Sequence, residues 1–157
     1  RIGDILSLKW NTVLNKDHIE LTETKTKKFR QIRVNEELKK DFLNIYGKLS
    51  NSPLSSIRIQ NDDEYIFSNK YKSNHICSQY VNTKLKEIVK KYKIKGSNIS
   101  THSLRKSFGR RVWEINNHSD RSLIILSEMF NHSNIAITRK YLGIRQSEIF
   151  DVYESLN

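Results

Sequence analysis

Apolar residues recur at helical spacing through most of the chain, and this pattern predicts a mainly helical fold. In residues 1–8, Ile2, Ile5, Leu6 and Leu8 share one face of a predicted first helix. Further helices are expected to begin at Glu36, at residue 73 or 74, at residue 100 or 101 and at Ser119. A short helix is expected over residues 135–142, and residues 147–156 are expected to form a final helix or a mobile tail.

Several predicted helices also carry start and stop signals. Asn35 can cap the helix that begins at Glu36, and Gly143 fits a stop after Leu142. Four of the predicted helices have an apolar stripe that is expected to face inward. In chain order, these stripes are Leu38, Phe42, Ile45 and Leu49 in the helix from Glu36; Ile76, Tyr80, Val81, Leu85, Ile88, Val89 and Tyr92 in the helix from residue 73 or 74; Leu104, Phe108, Val112 and Ile115 in the helix from residue 100 or 101; and Leu123, Ile124, Leu126 and Met129 in the helix from Ser119.

Short β-prone runs between residues 13 and 34 predict a small antiparallel sheet near the N-terminus. The runs are Val13-Leu14, residues 18–21 and residues 29–34, and the connection over residues 22–28 is polar and cationic. Loops are expected around Pro53, with its neighbours Ser55 and Ser56, and at Gly96-Ser97-Asn98. The predicted fold class is therefore mainly α with a small antiparallel β-sheet near the N-terminus.

Length and composition narrow the classes of protein that this chain can be. Its 157 residues are typical of one domain, and 28 Lys and Arg against 17 Asp and Glu give a net charge of +11. This charge favours nucleic acid as the partner, with an anionic membrane surface second and a merely solvated basic surface as the plain alternative. The single cysteine, Cys77, excludes an internal disulfide, and no apolar run approaches the roughly 18 residues of a membrane span.

Two segments in the last third of the chain carry candidate chemistry. His102 and Arg105 are three residues apart and share a helical face, where an imidazole and a guanidinium can act on one phosphate. His132 lies in a predicted break, and Tyr141 follows nine residues later on the next helix. Taken singly, each is better explained as an ordinary surface, capping or core residue.

Together, the two segments resemble the tyrosine recombinase family, also called the phage integrase family. The second cluster of that family reads L-G-H-S-x-x-x-T-T-x-x-Y, and His132-Ser133, Thr138 and Tyr141 match it. Phe130, Asn131 and Ile137 replace the usual Leu, Gly and first Thr.

The resemblance extends upstream to the start of the chain. Residues 1–10 are similar to the family pattern R-x-x-E-L-x-x-L-x-W, with Asp4 in place of the usual Glu and Ile5 in place of the usual Leu. The hairpin lysine of the family corresponds to Lys25 in Lys25-Thr26-Lys27-Lys28, with Lys27 and Lys28 as alternatives. The matching segments cover residues 1 to about 145, in the family's order.

The resemblance implies a recombinase that cuts and rejoins DNA through a 3′-phosphotyrosyl intermediate, in integration or excision of a mobile element. The implied catalytic residues are Arg1, Lys25, His102, Arg105, His132 and the nucleophile Tyr141, and the implied DNA-binding residues are Lys27, Lys28, Arg30, Lys106, Arg139 and Lys140. No metal, ATP or other cofactor is implied.

The resemblance also implies a setting for the enzyme. The expected partner is double-stranded DNA, on which the protein is expected to form a homotetramer, while the isolated domain is expected to be a monomer. The expected location is the bacterial cytoplasm, at the nucleoid, and no membrane is expected to take part. Residues 1–157 are expected to be the catalytic domain of a longer protein. The N-terminal core-binding domain of that protein is expected to lie outside this sequence. The tail over residues 144–157 is expected either to dock on its own domain or to be exchanged between subunits.

Two other functions remain open at this stage. A pure DNA-binding module would use the same residues structurally, so Tyr141→Phe would leave its handling of DNA unchanged. A type IB topoisomerase would share the chemistry but relax supercoils without exchanging partners.

Overall fold

The computed structural model describes residues 1–54, 57–94 and 98–156 and confirms a mainly helical fold with a two-stranded antiparallel sheet near the N-terminus. Ser55, Ser56, Gly96 and Ser97, which belong to the predicted loops, lie outside the described residues. The chain divides into two compact units, Arg1–Lys95 and Gly96–Asn157, which are described separately below.

In its described residues, 1–54 and 57–94, the first unit combines a β-hairpin with three helices and a short 3-10 helix. In chain order its elements are α1 (Ile2–Leu6), a 3-10 helix (Trp10–Thr12), β1 (His18–Thr22), β2 (Phe29–Arg33), α2 (Glu36–Ser50) and α3 (Ser78–Lys91). The strands pair with His18 opposite Arg33 and Thr22 opposite Phe29. The core of the unit consists of Trp10, Val13, Ile19 and Val34, and the half-buried Phe42, Tyr46 and Leu49 of α2 pack against it.

The prediction of a strand at Val13-Leu14 is wrong. These residues follow the 3-10 helix, where the Thr12 hydroxyl donates to the Lys9 carbonyl at 2.7 Å and the Lys9 N–H donates back to that hydroxyl at 3.3 Å. The local capping turns the chain, so Val13 is buried in the core instead of pairing with a strand.

The two long helices of the first unit differ in part from their predictions. The Asn35 cap is confirmed, because its side chain accepts a hydrogen bond from the Leu38 N–H. Only part of each predicted stripe faces inward: Leu38, Ile45, Tyr80, Ile88 and Tyr92 are exposed. Helix α3 also begins later than predicted. His75 is engaged in a β-bridge with Ser68, and the Ile76 N–H donates to the Phe67 carbonyl at 2.8 Å, which holds this segment extended.

Over residues 98–156, the described part of the second unit, there are four helices: α4 (Thr101–Ile115), α5 (Asp120–Phe130), α6 (Ile135–Leu142) and α7 (Ile144–Ser155). Its core is formed by Leu123, Leu126, Phe130, Leu142 and Ile144. The boundaries of α6 agree with the prediction. Gly143 ends α6 with a left-handed φ of 74°, and α7 begins at once, three residues before the predicted final helix.

Helix α4 packs through a different face from the one predicted. Val112 packs against the core, but Leu104, Phe108 and Ile115 are exposed. The buried face of α4 includes Gly109, and on α5 the predicted Ile124 and Met129 are likewise exposed. Among the described residues, no helix is long and apolar enough to cross a membrane.

Gly109→Ala is expected to destabilise the second unit. A Cβ at this position would lie 2.6 Å from Leu142 Cδ2 and 2.9 Å from Phe130 Cζ, which is far inside van der Waals contact. Overpacking of this kind costs about 1–3 kcal/mol in the free energy of unfolding, measured by urea denaturation.

Gly47→Ala is the matched control, because Gly47 also lies within a helix and a Cβ there would meet nothing within 4 Å. It should stabilise the protein by about 0.5–1 kcal/mol through helix propensity alone. Equal effects of the two substitutions would contradict the close approach at Gly109.

Candidate active site

Arg105 is fixed against the end of α5. Its Nη2 donates to the Phe130 carbonyl at 3.2 Å, and the guanidinium lies 4.5 Å from the centre of the Phe130 ring. A carbonyl in the last turn of a helix carries partial negative charge and suits a cationic donor. The side chain is therefore held by both hydrogen bonding and cation–π contact.

His132 is positioned by the chain reversal between α5 and α6. Asn131 ends α5 with a left-handed φ of 54°, a conformation that Asn tolerates better than most residues with a side chain. The His132 N–H then donates to the Ser127 carbonyl at 2.9 Å. Its ring Nδ1 lies 3.0 Å from the hydroxyl of the fully buried Thr138, which fixes the orientation of the imidazole.

Tyr141 lies on α6 beside these groups. The centre of its ring is 5.3 Å from that of His132 and 5.6 Å from that of Phe130, both in edge-on geometry. The Lys106 ammonium is 5.4 Å from the same ring. Burial raises the pKa of the Tyr141 phenol, and the positive charge of Arg105 opposes this only in part.

His102 contributes to the site through its backbone. The Tyr141 hydroxyl donates to the His102 carbonyl at 3.5 Å, which is a long hydrogen bond, while the His102 side chain is exposed. The second unit thus brings Arg105, His132 and Tyr141 together around Phe130, with the first turn of α4 beside the phenol.

The other two predicted catalytic residues lie in the first unit, at α1 and the hairpin. Arg1 directly precedes α1, and its Nη1 donates to Glu23 Oε2 at 2.8 Å. Lys25 is exposed in the turn between β1 and β2. The buried carboxylate of Asp4 accepts the Thr24 N–H at 2.8 Å and so contacts the same turn.

Glu23 is a charged residue of this region that the sequence analysis missed. It is 6% exposed, and its carboxylate accepts hydrogen bonds from Arg1, Thr26 and Arg30. Burial pushes its pKa upward, but these three hydrogen bonds outweigh it and lower the pKa from 4.5 to about 2. A signal was present in the sequence, because Glu23 directly follows β1 and continues the alternation of Ile19 and Leu21 on one face.

The predicted DNA-binding residues differ in how firmly they are held. Arg30 donates to Glu23 Oε1 at 3.1 Å, and Arg139 Nη1 lies 3.9 Å from Asp120 Oδ1. Lys27 has a left-handed φ of 57° at the end of the hairpin turn. The side chains of Lys27, Lys28, Lys106 and Lys140 are exposed.

No group of three His, Cys, Asp or Glu side chains that could hold a metal ion occurs within residues 1–54, 57–94 and 98–156.

Comparisons with known proteins identify the family of the chain and a related fold. The model of the phage integrase family matches residues 1–148. The probable integrase/recombinase YoeC of Bacillus subtilis (strain 168) is 31% identical over 154 residues, which cover 98% of this chain and 76% of that protein. The crystal structure of XerA recombinase matches with a TM-score of 0.64 and 23% identity, over all of this chain and 53% of that one.

These matches define the class of the protein as a mainly helical DNA breaking-rejoining domain. The chain belongs to the phage integrase family and is a tyrosine recombinase domain. It spans about half the length of the XerA recombinase that it resembles in fold.

The charge on Glu23 is expected to make the first unit sensitive to acid. Since the folded pKa of about 2 lies below the ordinary value of 4.5, the stabilisation is complete above about pH 4.5 and is lost as the pH falls towards 2. The difference corresponds to on the order of 3 kcal/mol. Glu23→Gln should lower the free energy of unfolding at pH 7 and flatten its dependence on pH in this window, measured by denaturation at stepped pH.

The control for this measurement is Glu20→Gln, which removes the same charge from an exposed side chain of β1, the strand that Glu23 directly follows. If both variants kept the pH profile of the parent chain, the assignment of the acid-sensitive group to Glu23 would be wrong.

Proposed function

We propose that this chain is the catalytic domain of a site-specific DNA recombinase that cleaves and rejoins strands through a 3′-phosphotyrosyl bond at Tyr141. The observation that supports it best is the grouping of Tyr141, His132 and Arg105 around Phe130. A phenol beside an imidazole and a guanidinium has the functional groups needed to attack a phosphodiester.

The proposed reaction is an in-line exchange of two phosphoester bonds. The Tyr141 oxygen forms a bond to phosphorus, and the bond from phosphorus to the 5′-oxygen of the next nucleotide breaks. Arg105, together with Arg1, binds the non-bridging oxygens and stabilises the charge that develops on them. His132 donates a hydrogen bond to one of these oxygens, from a ring that Thr138 already orients.

Two proton transfers complete the proposed step. His102 accepts the phenol proton, which the Tyr141 hydroxyl otherwise directs to the backbone of the same residue. Lys25 gives a proton to the departing 5′-oxygen. Rejoining is the reverse of this step, with a 5′-hydroxyl of another strand as the attacking group.

No metal, ATP or other cofactor takes part in the proposed reaction. The phosphotyrosyl bond has roughly the energy of the phosphodiester that it replaces, so the energy for resealing is kept in the intermediate. The protein contributes the charge stabilisation through its own cations.

The proposed substrate is double-stranded DNA at the ends of a mobile element, in integration or excision. The net charge of +11 supports binding to a polyanion. The residues proposed to contact the phosphates are Lys27, Lys28, Arg30, Lys106, Arg139 and Lys140. We propose that a homotetramer on DNA at the bacterial nucleoid carries out this reaction. Each subunit is proposed to be a longer protein with an N-terminal DNA-binding domain, and the catalytic domain on its own is proposed to be a monomer.

The tail over residues 144–157 is proposed to pack on a neighbouring subunit or on its own domain. Helix α7 exposes Phe150, Val152 and Tyr153, and Leu156 beyond it is 77% exposed. This apolar surface supports a docking role for the tail.

Covalent trapping tests the proposal. A duplex from the junction of the native element, nicked near the cleavage point, releases a short product and prevents resealing. The protein at its full natural length should form an adduct with this duplex that survives denaturing electrophoresis, in the presence of EDTA and without ATP. Tyr141→Phe should lower adduct formation by at least about 1,000-fold, because it removes the nucleophile and leaves the ring in place.

The other outcomes of the trapping test point to other functions. Equal DNA handling by the parent protein and Tyr141→Phe, without an adduct, would favour a DNA-binding module. Relaxation of plasmid supercoils without strand exchange would favour a topoisomerase. A requirement for a divalent cation would contradict the proposed cofactor-free reaction.

A further inference from the structure

Glu23 directly follows β1 and continues its alternation of inward- and outward-facing side chains into the hairpin turn. Its carboxylate is buried, and burial of a charge is unfavourable in free energy. Ile19 and Leu21 precede it on the same face, and the residue is only 6% exposed. Placing a carboxylate in such a position costs several kcal/mol unless its oxygens are paired. The partners of Glu23 therefore show what the position is used for.

Each oxygen of the Glu23 carboxylate has a cationic partner. Oε2 accepts from Arg1 Nη1 at 2.8 Å and also from the Thr26 hydroxyl, while Oε1 accepts from Arg30 Nε at 3.1 Å. The single atom Oε2 thus connects Arg1 with the turn between β1 and β2. Charge-assisted hydrogen bonds of this type are stronger and more directional than neutral ones.

The turn that carries Lys25 is held on both sides of that residue. On one side, the Thr24 N–H donates to the buried Asp4 carboxylate of α1 at 2.8 Å. On the other side, the Thr26 hydroxyl donates to Glu23. Lys25 lies between these two anchors with an exposed side chain. The backbone at Lys25 is fixed, while its ammonium can reach out to a substrate.

The backbone of Glu23 closes the same turn. Its N–H donates to the Lys28 carbonyl and its carbonyl accepts the Lys27 N–H, each at 2.9 Å. These backbone bonds do not depend on the carboxylate. Removing the charge should therefore leave the hairpin paired but release the Thr26 anchor and the contact with Arg1.

We propose that Glu23 is a positioning residue for protonation of the leaving group, because it anchors the Lys25 turn to the start of α1 through Thr26 and Arg1. This inference rests on the proposed function. In that reaction Lys25 Nζ loses a proton to the 5′-oxygen as the bond from that oxygen to phosphorus breaks. Glu23 does not touch the substrate, and its effect on protonation of the leaving group passes through the placement of Lys25.

A substrate that needs no proton on its leaving group separates this role from a merely structural one. Sulfur in place of the 5′-bridging oxygen leaves as a thiolate, which is stable without protonation. The probe is the nicked junction duplex in an oxygen and a sulfur form. Single-turnover adduct formation is measured with the protein at its full natural length, together with DNA affinity.

On the oxygen duplex, Glu23→Gln should slow adduct formation about 10–100-fold, because a misplaced Lys25 keeps only part of its effect as a general acid. The affinity for DNA should change less than about threefold. On the sulfur duplex the defect should shrink by at least about fivefold. Glu20→Gln, the same change of charge on an exposed residue of β1, should match the parent protein on both substrates. Lys25→Ala serves as the reference for loss of the acid.

Thr26→Val provides a second variant if Glu23→Gln fails to fold. It keeps the buried ion pair between Glu23 and Arg1 and removes only the hydroxyl contact. Thr26→Val should slow adduct formation on the oxygen duplex less than Glu23→Gln does. This defect should also shrink on the sulfur duplex.

The proposal for Glu23 is overturned if its variants react like the parent protein on the oxygen duplex, or if their defect is the same on both substrates while Lys25→Ala is rescued by sulfur. In either case the proposed function stands. If Lys25→Ala is not rescued, Lys25 is not the acid and the role of Glu23 falls with it. If Tyr141→Phe still forms the adduct, the proposed function itself has failed.

Discussion

The close approach of α4 to Phe130 and Leu142 at Gly109 is the constraint on which the second unit depends. A side chain larger than hydrogen at this position would collide with both residues. Arg105 lies one turn earlier on the same face of α4, so the spacing set at Gly109 also brings the guanidinium onto Phe130. Tyr141 directly precedes Leu142, and its ring reaches the same phenylalanine. Helix packing thus determines which charged and aromatic groups can meet.

Local signals in the sequence predicted the fold where short-range hydrogen bonds decide the structure. Helix α6 has the expected boundaries because Asn134 caps its start and Gly143 takes the left-handed conformation at its end. Prediction failed where tertiary contacts decide. Val13 belongs to a β-prone run, yet capping between Lys9 and Thr12 turns it into the core. The apolar periodicity of α4 indicated a helix correctly but not which of its faces is buried.

The candidate site could be predicted from the sequence only as far as its residues form a recognisable order. His102, Arg105, His132 and Tyr141 were identified from motif spacing, without any view of Phe130 as the residue around which three of them meet. Glu23 was missed because its partners Arg1 and Arg30 lie on either side of it along the chain, 22 and 7 residues away. Pairing across such distances leaves no pattern of its own. The alternation with Ile19 and Leu21 indicated only that this acid faces inward, and an acid among many lysines resembles ordinary surface charge.

The resting state of Tyr141 has a consequence for the control of DNA breakage. Burial favours the protonated phenol, and the backbone carbonyl of His102 accepts a hydrogen bond from its hydroxyl. If Tyr141 is the nucleophile that we propose, its neutral phenol is a poor attacking group, and a chance encounter with DNA would leave the strands intact. In the proposed reaction, strand cleavage would then require removal of this proton, so the contacts that surround the phenol would also limit when the DNA is cut.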